Sequence, residues 1–118
     1  MKTYKGHKDS RFNHQLVFVL RSEKPRMPYP LRQAWKDDAI GFNWGYAGAS
    51  HDHLALSILV DFFGTEDIHR DVCKQFKTDF LHNAGPELKI TEEQIIDWIA
   101  NRVWKLIIKH HGGHLGKA

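Results

Sequence analysis

His53, Ser57 and Asp61 recur at intervals of four residues, nine histidines are scattered along the chain, and a single cysteine stands at position 73. These are the side chains of this 118-residue protein whose types could do chemistry. Serine, histidine and aspartate together suggest acyl transfer, but a triad needs the imidazole between nucleophile and acid. Here Ser57 is the middle member, so the spacing reads as a solvated polar stripe or the lining of a shallow cleft. His51 and His53 are two apart rather than four, so a helix does not set both imidazoles on one face. His110, His111 and His114 have no carboxylate or thiolate near them in the chain, and no designed metal site is expected. Cys73 lies at the edge of a helical stripe and reads as a small hydrophobe rather than a nucleophile. No cofactor is implied.

The elements that must position these groups fall into two parts. The first third reads as strand and loop: Thr3–Gly6, then Gln15–Leu20, then Ala39–Trp44 with Ile40, Phe42 and Trp44 on one face. Between the last two lies a loop, Ser22 to Asp38, where Pro25, Pro28 and Pro30 each remove a backbone donor. With no crossover helix among them, these strands form an antiparallel sheet. The rest reads as three helices. One runs from His51 to Phe63, with Ser50 as N-cap and Gly64 as its stop. Its apolar residues cover most of the circumference, so it is the buried, central helix. A second starts at Thr65 and carries Ile68, Val72, Phe76 and Phe80 as a stripe, ending at Asn83–Pro86. The third opens on Thr91-Glu92-Glu93-Gln94, a capping-box pattern, and buries Ile95, Trp98, Ile99, Val103 and Leu106. The expected fold is α+β: a small three-stranded antiparallel sheet packed against three helices, as one domain over residues 1–109. A flexible Gly- and His-rich tail is expected over 110–118.

Two residues sets sit awkwardly on the third helix. Arg102 projects into the apolar arc, so it either snorkels or meets a buried acid. Trp104 and Ile108 lie on the opposite side, where a lone helix would expose them and a partner or a second copy would find an apolar patch. The bland alternative is that the sheet or the Pro-rich loop covers them.

The third expected strand runs into the central helix through Trp44-Gly45-Tyr46-Ala47-Gly48-Ala49-Ser50. Glycine lets the backbone turn sharply or approach a ligand closely, and a helix start presents free N–H groups to an anion. Trp44, Gly45, Tyr46, Gly48, Ser50, His51 and His53 are therefore the candidate ligand-binding residues, although Asp52 in the first turn occupies the field a phosphate would use. The plain alternative is a tight strand-to-helix connection. This run, with Leu54-Ala55-Leu56-Ser57-Ile58-Leu59 after it, resembles an uncharacterised family of small bacterial and phage proteins. That family's hallmark reads W-G-Y-G-G-S-G-P-A-x-L-A-L-A-I-L. The resemblance spans about residues 3–99 and brings no established activity. Ala47 and Ala49 stand where the hallmark has Gly and Ser, and Ser50-His51-Asp52 where it has Gly-Pro-Ala.

Composition narrows the function classes. Four Trp, seven Phe and three Tyr supply core bulk without metal or disulfide staples. A lone cysteine suits a reducing compartment, no apolar run reaches membrane-span length, and the polar start Met1–Arg11 lacks the h-region of a secretory signal. A cytoplasmic location follows. Residues 1–36 hold nine Lys/Arg against two acids, and residues 37–118 hold eight against twelve. That asymmetry marks either a solvated basic edge or a face for an anionic partner. A helix-turn-helix is rejected because Glu66, Asp67 and Asp71 would lead the second helix into phosphates. Three readings follow. The leading one is a non-enzymatic binding module, a phage- or mobile-element-type accessory protein docking on a host protein or a nucleotide-like ligand. The resemblance adds interference with a host defence system as one version of it. The second is nucleic-acid binding through Lys8, Arg11, Arg21, Lys24, Arg26 and Arg32 with neighbouring aromatics for stacking. The third is an enzyme acting on a phosphorylated or nucleotide substrate, with His51 or His53 as general acid/base.

Overall fold

Alternation of inward and outward residues defines the sheet. In β1 (Lys2–His7), Tyr4 is fully buried; in β2 (Val17–Arg21), Val17 and Val19 are buried; in β4 (Glu87–Thr91), Leu88 and Ile90 are buried. The register brings these together on one face, with Tyr4 opposite both Val19 and Ile90, and Gly6 opposite both Val17 and Leu88. With β3 (Lys24–Pro30) paired to β2, the strands form one antiparallel sheet in the order β3-β2-β1-β4. The computed structural model describes residues 1–34, 41–45 and 49–111.

Among the described residues the sheet has four strands rather than three, and two of them stand where no strand was expected. β3 crosses the Pro-rich segment. It lies at the sheet edge, where a proline's missing N–H leaves no ladder bond unmade. β4 is a five-residue stretch whose alternation is too short to stand out, and it gains its place by pairing with the central β1. The strand expected over Ala39–Trp44 is not seen in its described part: Phe42 makes a single bridge to Gln15, and positions 39 and 40 lie outside the described residues.

Helix α1 (Ala49–Phe63) packs its fully buried Leu54, Ala55, Ile58 and Leu59 into the core, as an apolar circumference requires. Its start precedes Ser50, so that serine lies inside the first turn rather than capping it. It ends at Gly64, whose φ of 74° is the left-handed conformation glycine adopts without strain. Helix α2 (Arg70–Phe76) begins five residues later than Thr65. Thr65 instead closes a local turn by accepting the Asp67 N–H, and His69 caps the helix through Nδ1. Helix α3 (Glu92–Trp98) opens on Thr91 and Gln94 bonded reciprocally, the capping box the sequence predicts.

Both later helices widen before they end. Residues Lys77–Leu81 continue α2, and Ile99–Val103 join α3 to α4 (Trp104–His111), each as a π-helical turn. An extra residue per turn rotates everything after it by about 100°. The buried stripe of α2 accordingly passes from Phe76 to Leu81, leaving Phe80 half-buried, and that of α3 passes from Trp98 to Val103 and on to Ile107 instead of Leu106. Arg102 is turned out of the apolar arc and meets Asp79 across the two wide turns at 3.2 Å. Asp79 also receives the Trp98 indole N–H at 2.8 Å and the Gln75 amide. Burial works to raise the Asp79 pKa, but hydrogen bonds from Gln75, Trp98 and Arg102 outweigh it and hold the carboxyl below its ordinary value.

Gly6 is a point of close approach. A Cβ there would lie 2.7 Å from Cη2 of the Trp44 ring and 3.1 Å from the Leu16 carbonyl oxygen. Trp44 is fully buried and its ring nitrogen is committed to the Gly85 carbonyl, so the ring has little freedom to retreat. Gly6→Ala is expected to lower stability by about 1–3 kcal/mol, read as a shift of the urea midpoint with an unchanged slope; a midpoint within error of wild type would show that the ring can move.

Candidate functional site

The junction into α1 is held at many points. Trp44 donates its backbone N–H to Asn43 Oδ1 at 2.9 Å and its ring N–H to the Gly85 carbonyl at 2.8 Å, while its own carbonyl accepts from the Lys8 ammonium. Gly45, at φ 91°, donates its N–H to the Leu81 carbonyl at 2.8 Å. A Cβ at that position would stand 3.1 Å from the Ala84 oxygen. Glycine here serves a turn that grips the 81–85 segment. Of the other candidates, Ser50 is half-buried and His51 and His53 are fully buried. His53 packs against the Phe42 ring at 5.0 Å, and His51 faces His82 at 6.4 Å. Burial, reinforced by His82, Lys8 and Lys77 and opposed by Asp52, pushes the His51 imidazole down to a pKa of about 4. It is therefore neutral near pH 7 and a weak general base. Tyr46 and Gly48 lie outside the described residues.

The stripe of His53, Ser57 and Asp61 is not solvated, contrary to the expectation from spacing. Ser57 is buried and its hydroxyl accepts the Ala34 N–H at 3.0 Å. Asp61 accepts the Tyr4 hydroxyl at 2.6 Å, the Tyr29 hydroxyl at 2.9 Å and the Lys2 ammonium at 3.1 Å. A helix that is apolar nearly all round is buried on every side, and its polar residues survive there because the sheet and the 31–34 segment supply partners. Burial and the bonds to Asp61 raise the pKa of both tyrosines, so neither is a phenolate near neutral pH. The cluster fastens α1 to β1 and β3.

The opposite face of the sheet carries what the residue types alone did not single out. A groove of about 790 Å³ runs across it. Phe18 and Leu20 of β2 and Pro28 of β3 form its floor, with Phe12 and Leu16 from the β1–β2 loop at one end. Lys5, His7 and Glu87 border it, the last two bonded to each other. Leu16 is 70% exposed and Phe12 60%. The signal was legible: in Leu16-Val17-Phe18-Val19-Leu20 both faces are apolar, whereas an antiparallel strand covered on one side alternates with polar residues. A second apolar spot is Trp104 and Ile108 on α4, about half exposed; neither the sheet nor the Pro-rich strand covers them among the described residues.

The basic candidates do not act alike. Lys8 is committed to the Trp44 carbonyl, Arg11 holds Asp9 through two nitrogens, and the Arg21 guanidinium lies 5.5 Å from the Tyr29 ring centre. Lys24 opens β3, and Arg26 and Arg32 are exposed. As for metal ligands, the fold carries His110 within α4 to Asp71 and His69, so the chain separation that argued against a carboxylate partner does not hold in space. Cys73 is half-buried and burial pushes its thiol up to a pKa of about 12, which leaves it without thiolate character. No helix among the described residues is long and apolar enough to cross a membrane.

No curated protein and no solved structure matches the chain. A family model matches residues 4–101, a stretch that includes most of β1, the other three strands, the Gly45 junction, α1 with Asp61, and the first wide turn. The chain therefore belongs to the family of unknown function DUF6166.

Proposed function

We propose that the protein is a non-enzymatic binding module that captures a host protein on the grooved, apolar face of its sheet, as a small accessory protein of phage or mobile-element type. The observation that carries this reading is the groove floored by Phe18, Leu20 and Pro28. An open face of an antiparallel sheet is ordinarily polar; an apolar patch rimmed by charged residues marks a protein-interaction surface. Lys5, Asp9 and Glu87 form such a rim. The groups able to do chemistry support the same reading, since His51 is buried, Asp61 is committed to three donors, and burial pushes the thiol pKa of the half-buried Cys73 up. A nucleotide-like ligand at the Gly45 junction is less favoured, because the Trp44 and Gly45 amides already donate within the chain.

The test is a paired capture from bacterial lysate with the wild type and with Leu16→Glu/Phe18→Glu, whose side chains are both exposed enough to be replaced without unfolding the sheet. Wild type is expected to retain a defined host protein that the double variant loses at equal thermal stability. Equal capture by both, or none by either, would defeat the reading. A light-scattering mass of two copies that falls to one in the double variant would assign the groove to self-association instead.

A further inference from the structure

Helix α4 returns the end of the described chain to the start of α2. There the His110 imidazole stacks on that of His69, with ring centres 3.5 Å apart and planes within 7°. Asp71 Oδ2 lies 3.2 Å from His110 Nε2 and 3.7 Å from His69 Nδ1. The three donor atoms all lie within 4.8 Å of one another. His110 Nε2 is buried and makes no hydrogen bond, despite the carboxylate oxygen beside it. A buried ring nitrogen left in that state calls for a partner, and an ion is one of the few that fits between two imidazoles and a carboxylate.

We propose that His69, Asp71 and His110 form a site for one divalent transition-metal ion of the zinc class, which clamps α4 to the start of α2. The spacing supports it. Bonds of about 2.0–2.1 Å in tetrahedral arrangement set ligand atoms roughly 3.3 Å apart, close to the 3.2 Å and 3.7 Å present here. Two imidazoles and one carboxylate suit zinc, cobalt or nickel rather than magnesium or calcium, which take oxygen ligands. Three protein ligands leave a fourth position for water, and Asp71 also lines a cavity of about 640 Å³ with room for it. Binding has a structural consequence. Parallel rings direct their lone pairs side by side, so the imidazoles turn out of the stack to converge on one ion. His69 Nδ1, which now accepts the Asp71 N–H at 3.1 Å, exchanges that capping role for coordination.

The experiment uses the full chain, freed of metal with a chelator and titrated with Co²⁺, with Zn²⁺ and Mg²⁺ in parallel. Expected are one Co²⁺ per chain with tetrahedral d–d absorption, and a melting temperature raised by Zn²⁺ but not by Mg²⁺. His69→Asn keeps a good helix cap while removing the imidazole, and His110→Gln keeps polarity. Each is expected to weaken Co²⁺ binding by at least about tenfold, the lower bound for losing even an outer-shell partner, with an unchanged metal-free far-UV spectrum. His111→Ala/His114→Ala should bind as wild type does. The proposal is overturned if the chain takes up no Co²⁺, or if binding survives His69→Asn and His110→Gln but vanishes in His111→Ala/His114→Ala, which would place capture in the tail.

Discussion

Asp61→Ala is expected to destabilise the protein by about 3–5 kcal/mol, lowering the melting temperature by roughly 10–20 °C for a domain of this size. One carboxylate accepts from Tyr4, Tyr29 and Lys2, residues on two strands. Removing it leaves the hydroxyl of the fully buried Tyr4 without its acceptor, at the desolvation penalty of an unpaired polar group, and the half-buried Lys2 without its counter-charge, its ammonium keeping only the residue-61 carbonyl. Asp61→Asn should fall between, because an amide oxygen still accepts but brings no charge to Lys2. The discriminating measurement is a double-mutant cycle by urea denaturation. Tyr4→Phe should cost about 1–2 kcal/mol in the wild type and much less in the Asp61→Ala background, where its hydroxyl has already lost its acceptor. If Asp61→Ala melts within a degree or two of wild type, the cluster does not fasten α1 to the sheet.

The second large effect is an acid lability that centres on His51. Burial, with His82, Lys8 and Lys77 adding and Asp52 opposing, lowers its pKa from 6.5 to about 4. Between those two values the unfolded chain binds one proton more than the folded one, so stability falls as the pH is lowered from 6.5 towards 4 and levels off below it. The slope is at most about 1.4 kcal/mol per pH unit, and the whole loss is on the order of 3 kcal/mol. Above pH 6.5 the residue contributes no pH dependence. Urea titrations at pH 7, 5.5 and 4.5 measure this directly. Carboxylates elsewhere also titrate at the acid end, so the decisive comparison is with His51→Gln, which should flatten the profile between pH 6.5 and 4.5. A profile of unchanged steepness in that variant would show that the imidazole is protonated in place without strain.

How far the sequence reaches can be judged from particular residues. The oily circumference of α1, its stop at Gly64 and the capping box at Thr91 were all readable, and the structure shows each. The exposure of Trp104 and Ile108 was only one of two readings of their place on the helix, the other being cover by the sheet or the Pro-rich loop. The start of α2 was not readable, because Thr65 and His69 compete as caps and only the local turn closed by Thr65 settles which one begins the helix. Nor was the sheet groove singled out, although the doubly apolar run from Leu16 to Leu20 signalled it.

Local rules act over one turn or one strand pleat, and within that range the amino-acid order by itself determined the mixed α+β character, the central helix and the helix stops. Tertiary structure decided everything that depends on a distant partner. Pro28 and Pro30 sit in a strand because β3 pairs with β2 on one side only, and the half-buried Asp61 is committed because Tyr4, 57 residues earlier, donates to it. The two π-helical turns shift each buried stripe by one residue so that Leu81 and Ile107 reach the core while Asp79 and Arg102 meet. His110 finds Asp71 for the same reason. Hydrogen-bond period is written into a few neighbouring residues, whereas pairing and helix widening are settled by which packing buries the most apolar surface with every polar group satisfied.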